Sequence, residues 1–127
     1  MNPVIRQYVS RVEARLIESP VIVSYQVLRQ EITNSDGKFR IKAILTGGGT
    51  VELFEYVAES DKHIHLLKYS FHWQDVEGKL IRRWDTPHYH NLLNSPHHIY
   101  YENGLVRETT DIPDSFLVIK TIEETLK

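Results

Sequence analysis

Tyr69-Ser70-Phe71-His72-Trp73-Gln74-Asp75-Val76-Glu77-Gly78-Lys79-Leu80-Ile81-Arg82-Arg83-Trp84-Asp85 is the stretch whose reading decides the fold. Two segments rich in aromatic and apolar residues flank a glycine turn, the signature of a β-hairpin. Successive side chains of a strand point to opposite faces, so Tyr69, Phe71 and Trp73 share one face and Ser70, His72 and Gln74 the other. With a two-residue Glu77-Gly78 turn, His72 stands opposite Arg83, Ser70 opposite Asp85 and Phe71 opposite Trp84. That register makes one face aromatic and the other polar. A three-residue turn would slip the pairing by one and mix the faces, so the pattern favours the first register.

Working outward, the first of these strands extends back to about His63, and Ser60-Asp61-Lys62 turns it from a preceding strand over Thr50–Ala58. There Val51, Leu53 and Glu55 face opposite to Glu52, Phe54 and Tyr56. Gly47-Gly48-Gly49 lacks the Lys-Ser/Thr ending and following helix of a phosphate loop, and reads as another hairpin turn. Before it, Phe39, Ile41, Ala43 and Leu45 form an inward row, and Asn34-Ser35-Asp36-Gly37 joins them to a strand with Val21, Val23, Tyr25 and Val27 in alternation. Asn2-Pro3 reads as an N-cap and first helical residue. Ile5, Tyr8, Val9, Val12 and Leu16 then follow at helical spacing to about residue 18, where Ser19-Pro20 stops the run. Residues 85 to 97 are too polar and proline-rich for a regular element, and Asn103-Gly104 marks another turn. The tail from about Pro113 is helical, with Phe116, Ile119, Ile122 and Leu126 on one face and Asp111 and Asp114 as candidate caps. The expected architecture is α+β: an antiparallel meander of about five to six strands, with N- and C-terminal helices packed on one face and the other face free. Residues 1–127 read as a single domain.

Composition narrows the function. Cysteine is absent, which removes disulfides, thiolate zinc sites and cysteine nucleophiles and fits a reducing compartment. The N-terminus has no signal-peptide pattern, and no stretch approaches the ~20 apolar residues of a membrane span, so the expected location is the cytoplasm. With 15 Lys+Arg against 17 Asp+Glu, any nucleic-acid contact must use a local patch and not the overall field.

All seven histidines, His63, His65, His72, His88, His90, His97 and His98, lie between residues 63 and 98. Histidine serves as acid or base near neutral pH and is a common metal ligand, so this clustering points to chemistry, although a strand and loop simply exposed to solvent would also accommodate it. His72, Gln74, Arg83 and Asp85 share the polar face of the hairpin, with Tyr69 near its edge and the 88–98 histidines able to fold over it. Such a set suits phosphodiester cleavage without metal: one histidine takes a proton from the attacking hydroxyl, a second protonates the leaving oxygen, and arginine neutralises charge on the phosphate. The competing reading of Arg83 and Asp85 is a surface ion pair. A metal reading also competes, because His63-Ile64-His65 and His88-Tyr89-His90 each put two imidazoles on one side of an extended segment. No cofactor is called for.

Tyr69-Ser70-Phe71-His72-Trp73-Gln74-Asp75, Leu80-Ile81-Arg82-Arg83-Trp84-Asp85, Pro87-His88 and Pro96-His97-His98, in that order, resemble the TumE family, toxins of toxin–antitoxin pairs commonly encoded beside an antitoxin with a helix-turn-helix DNA-binding domain. The resemblance implies that His72, Arg83, Asp85, His88, His97 and His98 are the positions that carry the activity and that the antitoxin is the partner; taken together with the polar face of the hairpin, it makes RNA the expected substrate. Family members often have another aromatic at Trp84, asparagine at Thr86 and histidine at Tyr100. The alternatives are a non-enzymatic module whose free sheet face docks the antitoxin, and a histidine-ligated metalloenzyme. Exposed edge strands in a meander also allow a symmetric homodimer.

Overall fold

A computed structural model describes residues 1–86, 97–109 and 112–126, and at residues 97, 98 and 107–109 the backbone alone. Helix α1 spans Pro3–Glu18, strands β1 to β5 span Ile22–Ile32, Asp36–Leu45, Thr50–Ser60, His63–Gln74 and Leu80–Asp85, β6 spans His97–Tyr101, β7 Val106–Thr109, and helix α2 Ser115–Thr125. The strands form one antiparallel sheet in sequential order β1 to β7. Its class is the expected α+β meander, extended by the short β6–β7 hairpin that turns at Asn103-Gly104, where Gly104 adopts φ 82°.

The start of α1 is set by its first three residues. The Asn2 side chain accepts hydrogen bonds from the Val4 and Ile5 amides at 2.9 and 3.0 Å, and Pro3 occupies the position where a missing N–H costs nothing. The apolar stripe Ile5, Tyr8, Val9, Val12 and Leu16 is buried against the sheet. Helix α2 is capped by Asp114, which accepts from the Leu117 amide, while Asp111 lies outside the described residues. Its buried face is Ser115, Val118, Ile119 and Ile122. The sequence pattern placed Leu126 on that face and left Val118 off it. Leu126 is instead 37% exposed, because the helix ends at Thr125 before a further turn can carry it inward.

Both helices cover the same sheet face. Cross-strand pairing runs Ile41–Leu53–Phe71–Trp84 and Ala43–Val51–Trp73, and all seven of these side chains are buried. Close approach of α1 explains Gly37: a Cβ there would meet Ile5 Cγ2 at 2.7 Å. The β3–β4 turn is the converse case, since Asp61 and Lys62 take left-handed φ angles of 52° and 67° without being glycine.

Four strand irregularities escape simple alternation. Register shifts leave Val23 and Leu28 in β1 and Leu67 in β4 outside the pairing, and all three are exposed, at 67%, 47% and 52%. Val23 is therefore not in line with Val21, which is buried. The fourth irregularity concerns the decisive hairpin. Its turn is of the three-residue kind: Asp75 N–H donates to Lys79 C=O at 2.8 Å, with Gly78 at φ 84°. A compensating bulge leaves Ile81 unpaired, so that Ser70–Asp85, Phe71–Trp84 and His72–Arg83 pair in the expected register after all.

Candidate functional site

The free face of the sheet is read most directly as rows of paired residues crossing the strands. One row is Lys42–Glu52–His72–Arg83–Tyr100, and beside it runs Arg40–Phe54–Ser70–Asp85–His98. The strands hold these positions rigidly because the same strands carry Leu53, Phe71, Trp73 and Trp84 into the core on the other side.

His72 is half-buried, and its Nε2 lies 3.4 Å from Gln74 Nε2. Arg83 Nε lies 2.7 Å from Asp85 Oδ2, within ion-pair reach. The Nε–H is not aimed at that oxygen, however, so among the described residues this shielded nitrogen makes no hydrogen bond. The attraction is therefore one of charge at short range, between side chains 39% and 29% exposed, and is worth at most about 1 kcal/mol to stability. Asp85 also accepts a 3.0 Å hydrogen bond from Ser70 Oγ. The Arg83 guanidinium sits over the Tyr100 ring, 4.3 Å from its centroid. Asp85 on one side and the Tyr100 ring on the other thus hold Arg83 in position, on the free face of the sheet.

Tyr69, expected near the edge of this set, belongs instead to the closed face. Its ring is buried on the core side and stacks on Phe71 at 5.6 Å, and burial, then the nearby charge of Asp85, then Tyr100 push its phenol well above the ordinary range. It is a neutral hydroxyl at any physiological pH. Thr86 anchors the strand end by accepting from the Tyr69 amide at 2.7 Å and donating to the Tyr69 carbonyl at 2.9 Å.

Of the residues singled out from sequence, His72, Arg83 and Asp85 come together on the free face. His98 pairs in backbone register with Asp85, and His97 with Thr109. His88, with His90, lies outside the described residues. His63 and His65 are exposed near the β3–β4 turn, and among the described residues no three of His, Asp and Glu group in a way that could hold a metal ion. Sequence alone passed over two neighbours of His72 and Arg83. Glu52 stands opposite His72 and takes a 2.9 Å bond from Arg40, and Tyr100 lies under Arg83. Continuing the pairing row from β4 into β3 and from β5 into β6 is the signal that finds them.

A second polar cluster occupies the closed face. Glu55 is fully buried and accepts hydrogen bonds from Tyr8 Oη at 2.5 Å, from the Ser115 amide at 2.8 Å and from Ser115 Oγ. Burial raises its carboxyl above the usual range, against the lowering effect of those donors. It ties α1, β3 and the start of α2 together, and it is closed off from solvent, which makes it a structural latch.

No helix among the described residues is long and apolar enough to cross a membrane. No curated protein and no solved structure matches the chain. The family model described as Toxin TumE matches residues 12–127, which include every element from the second half of α1 onward and the whole free face. The chain belongs to the TumE toxin family and is the toxin of a toxin–antitoxin system, with an antitoxin as its partner.

Proposed function

We propose that the toxin acts by cleaving RNA without metal, through acid–base chemistry on the free sheet face. The observation that carries this reading is the pairing of His72 with Arg83 and of Ser70 with Asp85 on one solvent-facing surface backed by a rigid aromatic core. His72 takes the proton from a ribose 2′-hydroxyl as its oxygen attacks the adjacent phosphorus. Arg83, held by Asp85 and Tyr100, stabilises the added negative charge. The bond from phosphorus to the 5′-oxygen breaks, and a second histidine from His88, His97 and His98 gives that oxygen a proton. The products are a 2′,3′-cyclic phosphate and a free 5′-hydroxyl.

The location is then the cytoplasm, where RNA is met. On the resemblance, the antitoxin carries a helix-turn-helix DNA-binding domain, and its binding across this face would block the chemistry. The β1 strand forms one edge of the sheet, which suits a symmetric homodimer.

The test is incubation of the purified chain with RNA in the presence of a chelator, followed by analysis of the new ends. Cyclic phosphate ends that His72→Ala eliminates support the reading. Intact RNA, or cleavage that the chelator abolishes, rejects it.

A further inference from the structure

The free face carries features that the cleavage row does not use. Below the His72 row and the Phe54 row lies a third, Lys38–Tyr56–Lys68. A hollow of about 440 Å³ opens here, with Phe54 and Tyr56 as its apolar surface and Lys38, Lys68, Thr33, Asp36 and Glu31 around them. Neither aromatic belongs to the core, which is built entirely on the other side of the sheet. The Tyr56 ring is fixed by a 2.7 Å hydrogen bond from its hydroxyl to Asp36 Oδ2, and the Arg40 guanidinium lies 4.8 Å from the centre of the Phe54 ring. Lys38 is 3.4 Å from Glu31, whereas Lys68 has no ion-pair partner among the described residues.

Half-exposed rings interleaved with cations on a rigid sheet are the requirements for stacking bases while a backbone is held electrostatically. We propose that this hollow binds an unpaired nucleobase of the substrate, so that the toxin acts on single-stranded RNA; the inference rests on the cleavage reading above. From Lys68 to His72 is four residues along β4, about 13 Å at the usual strand rise, so a short length of strand spans from the hollow to the cleavage row. Phe54 lies between, paired with Ser70, which in turn pairs with Asp85. A duplex keeps its bases stacked inside and offers this surface no ring faces, whereas a single strand can splay them.

The probe is a fluorescein-labelled RNA strand with 2′-O-methyl groups, which cannot be cut by 2′-hydroxyl attack. Its binding to the full chain is measured by fluorescence anisotropy at one fixed salt concentration, alone and annealed to its complement. The expected result is at least tenfold tighter binding of the single strand, weakened about tenfold by Phe54→Ala and, independently, by Lys68→Glu. Lys68→Glu is exposed and decides the matter if Phe54→Ala does not fold. Equal affinity for strand and duplex, or no loss in either variant, overturns the subsite even if the chain cleaves RNA. If the chain neither binds nor cleaves RNA, and Phe54→Ala instead loses the antitoxin, the hollow is a protein-docking surface and both readings fall.

Discussion

The two faces of β4 differ in what they ask of the same strand. Tyr69, Phe71 and Trp73 are at most 3% exposed and exist to be covered, whereas Ser70, His72 and Gln74, one residue along, stay half-open and are covered by neither helix. Polar groups on the closed face are tolerated only when every oxygen is satisfied, as at Glu55. On the free face Arg83 Nε is left without a hydrogen bond among the described residues beside an acidic partner, a state a purely structural pair would not need. The strand alternation itself thus separates the stabilising face from the face of the proposed chemistry.

The largest effect should fall on stability from the closed face. Trp73→Ala should cost about 3–5 kcal/mol in urea unfolding, while His72→Ala should cost under about 1 kcal/mol. Comparable losses would show that the free face is also structural. Next comes the pH dependence of Glu55. Its carboxyl ionises in the unfolded chain near 4.5 and in the folded chain at a higher value, so its contribution is complete below 4.5 and is lost as pH rises toward the folded value. The unmodified protein should therefore lose stability relative to Glu55→Gln over that interval, by up to about 1.4 kcal/mol per pH unit in urea titrations. Parallel curves would mean that the latch binds the carboxylate and the acid equally well.

A smaller term joins the helices. Arg15 donates to both Glu123 oxygens, at 2.8 and 2.5 Å, and Ser19 Oγ donates to one of them at 2.7 Å. A double-mutant cycle on Arg15→Ala and Glu123→Ala should give a coupling of about 1 kcal/mol. The smallest stability effect belongs to Asp85→Asn, within about 0.5 kcal/mol, yet it should lower RNA cleavage by freeing Arg83. A variant that unfolds readily and cleaves normally would reverse the assignment of the two faces.

Much of this division was legible in the sequence where side chains and local conformation agree. Asn2-Pro3 fixes the start of α1, and aromatic alternation assigns the faces of β4 and β5. The His72–Arg83 register was reached although the turn has three residues and not two, because the Ile81 bulge restores the pairing that the turn displaces. Patterning of buried aromatics constrains register more strongly than turn length does. Bulges at Val23 and Leu67 could not be read, since an unpaired residue is defined by the strand beside it and not by its own sequence. For the same reason Glu52, Phe54 and Tyr100 joined the site only once neighbouring strands were aligned across the sheet.

The most direct test of the free face as the seat of toxicity is growth after induced expression of the chain alone, compared with His72→Ala and Arg83→Ala at equal levels of folded protein. The account predicts arrest with fragmented cellular RNA for the unmodified chain and normal growth with intact RNA for both variants. Arrest that persists in both folded variants would contradict it.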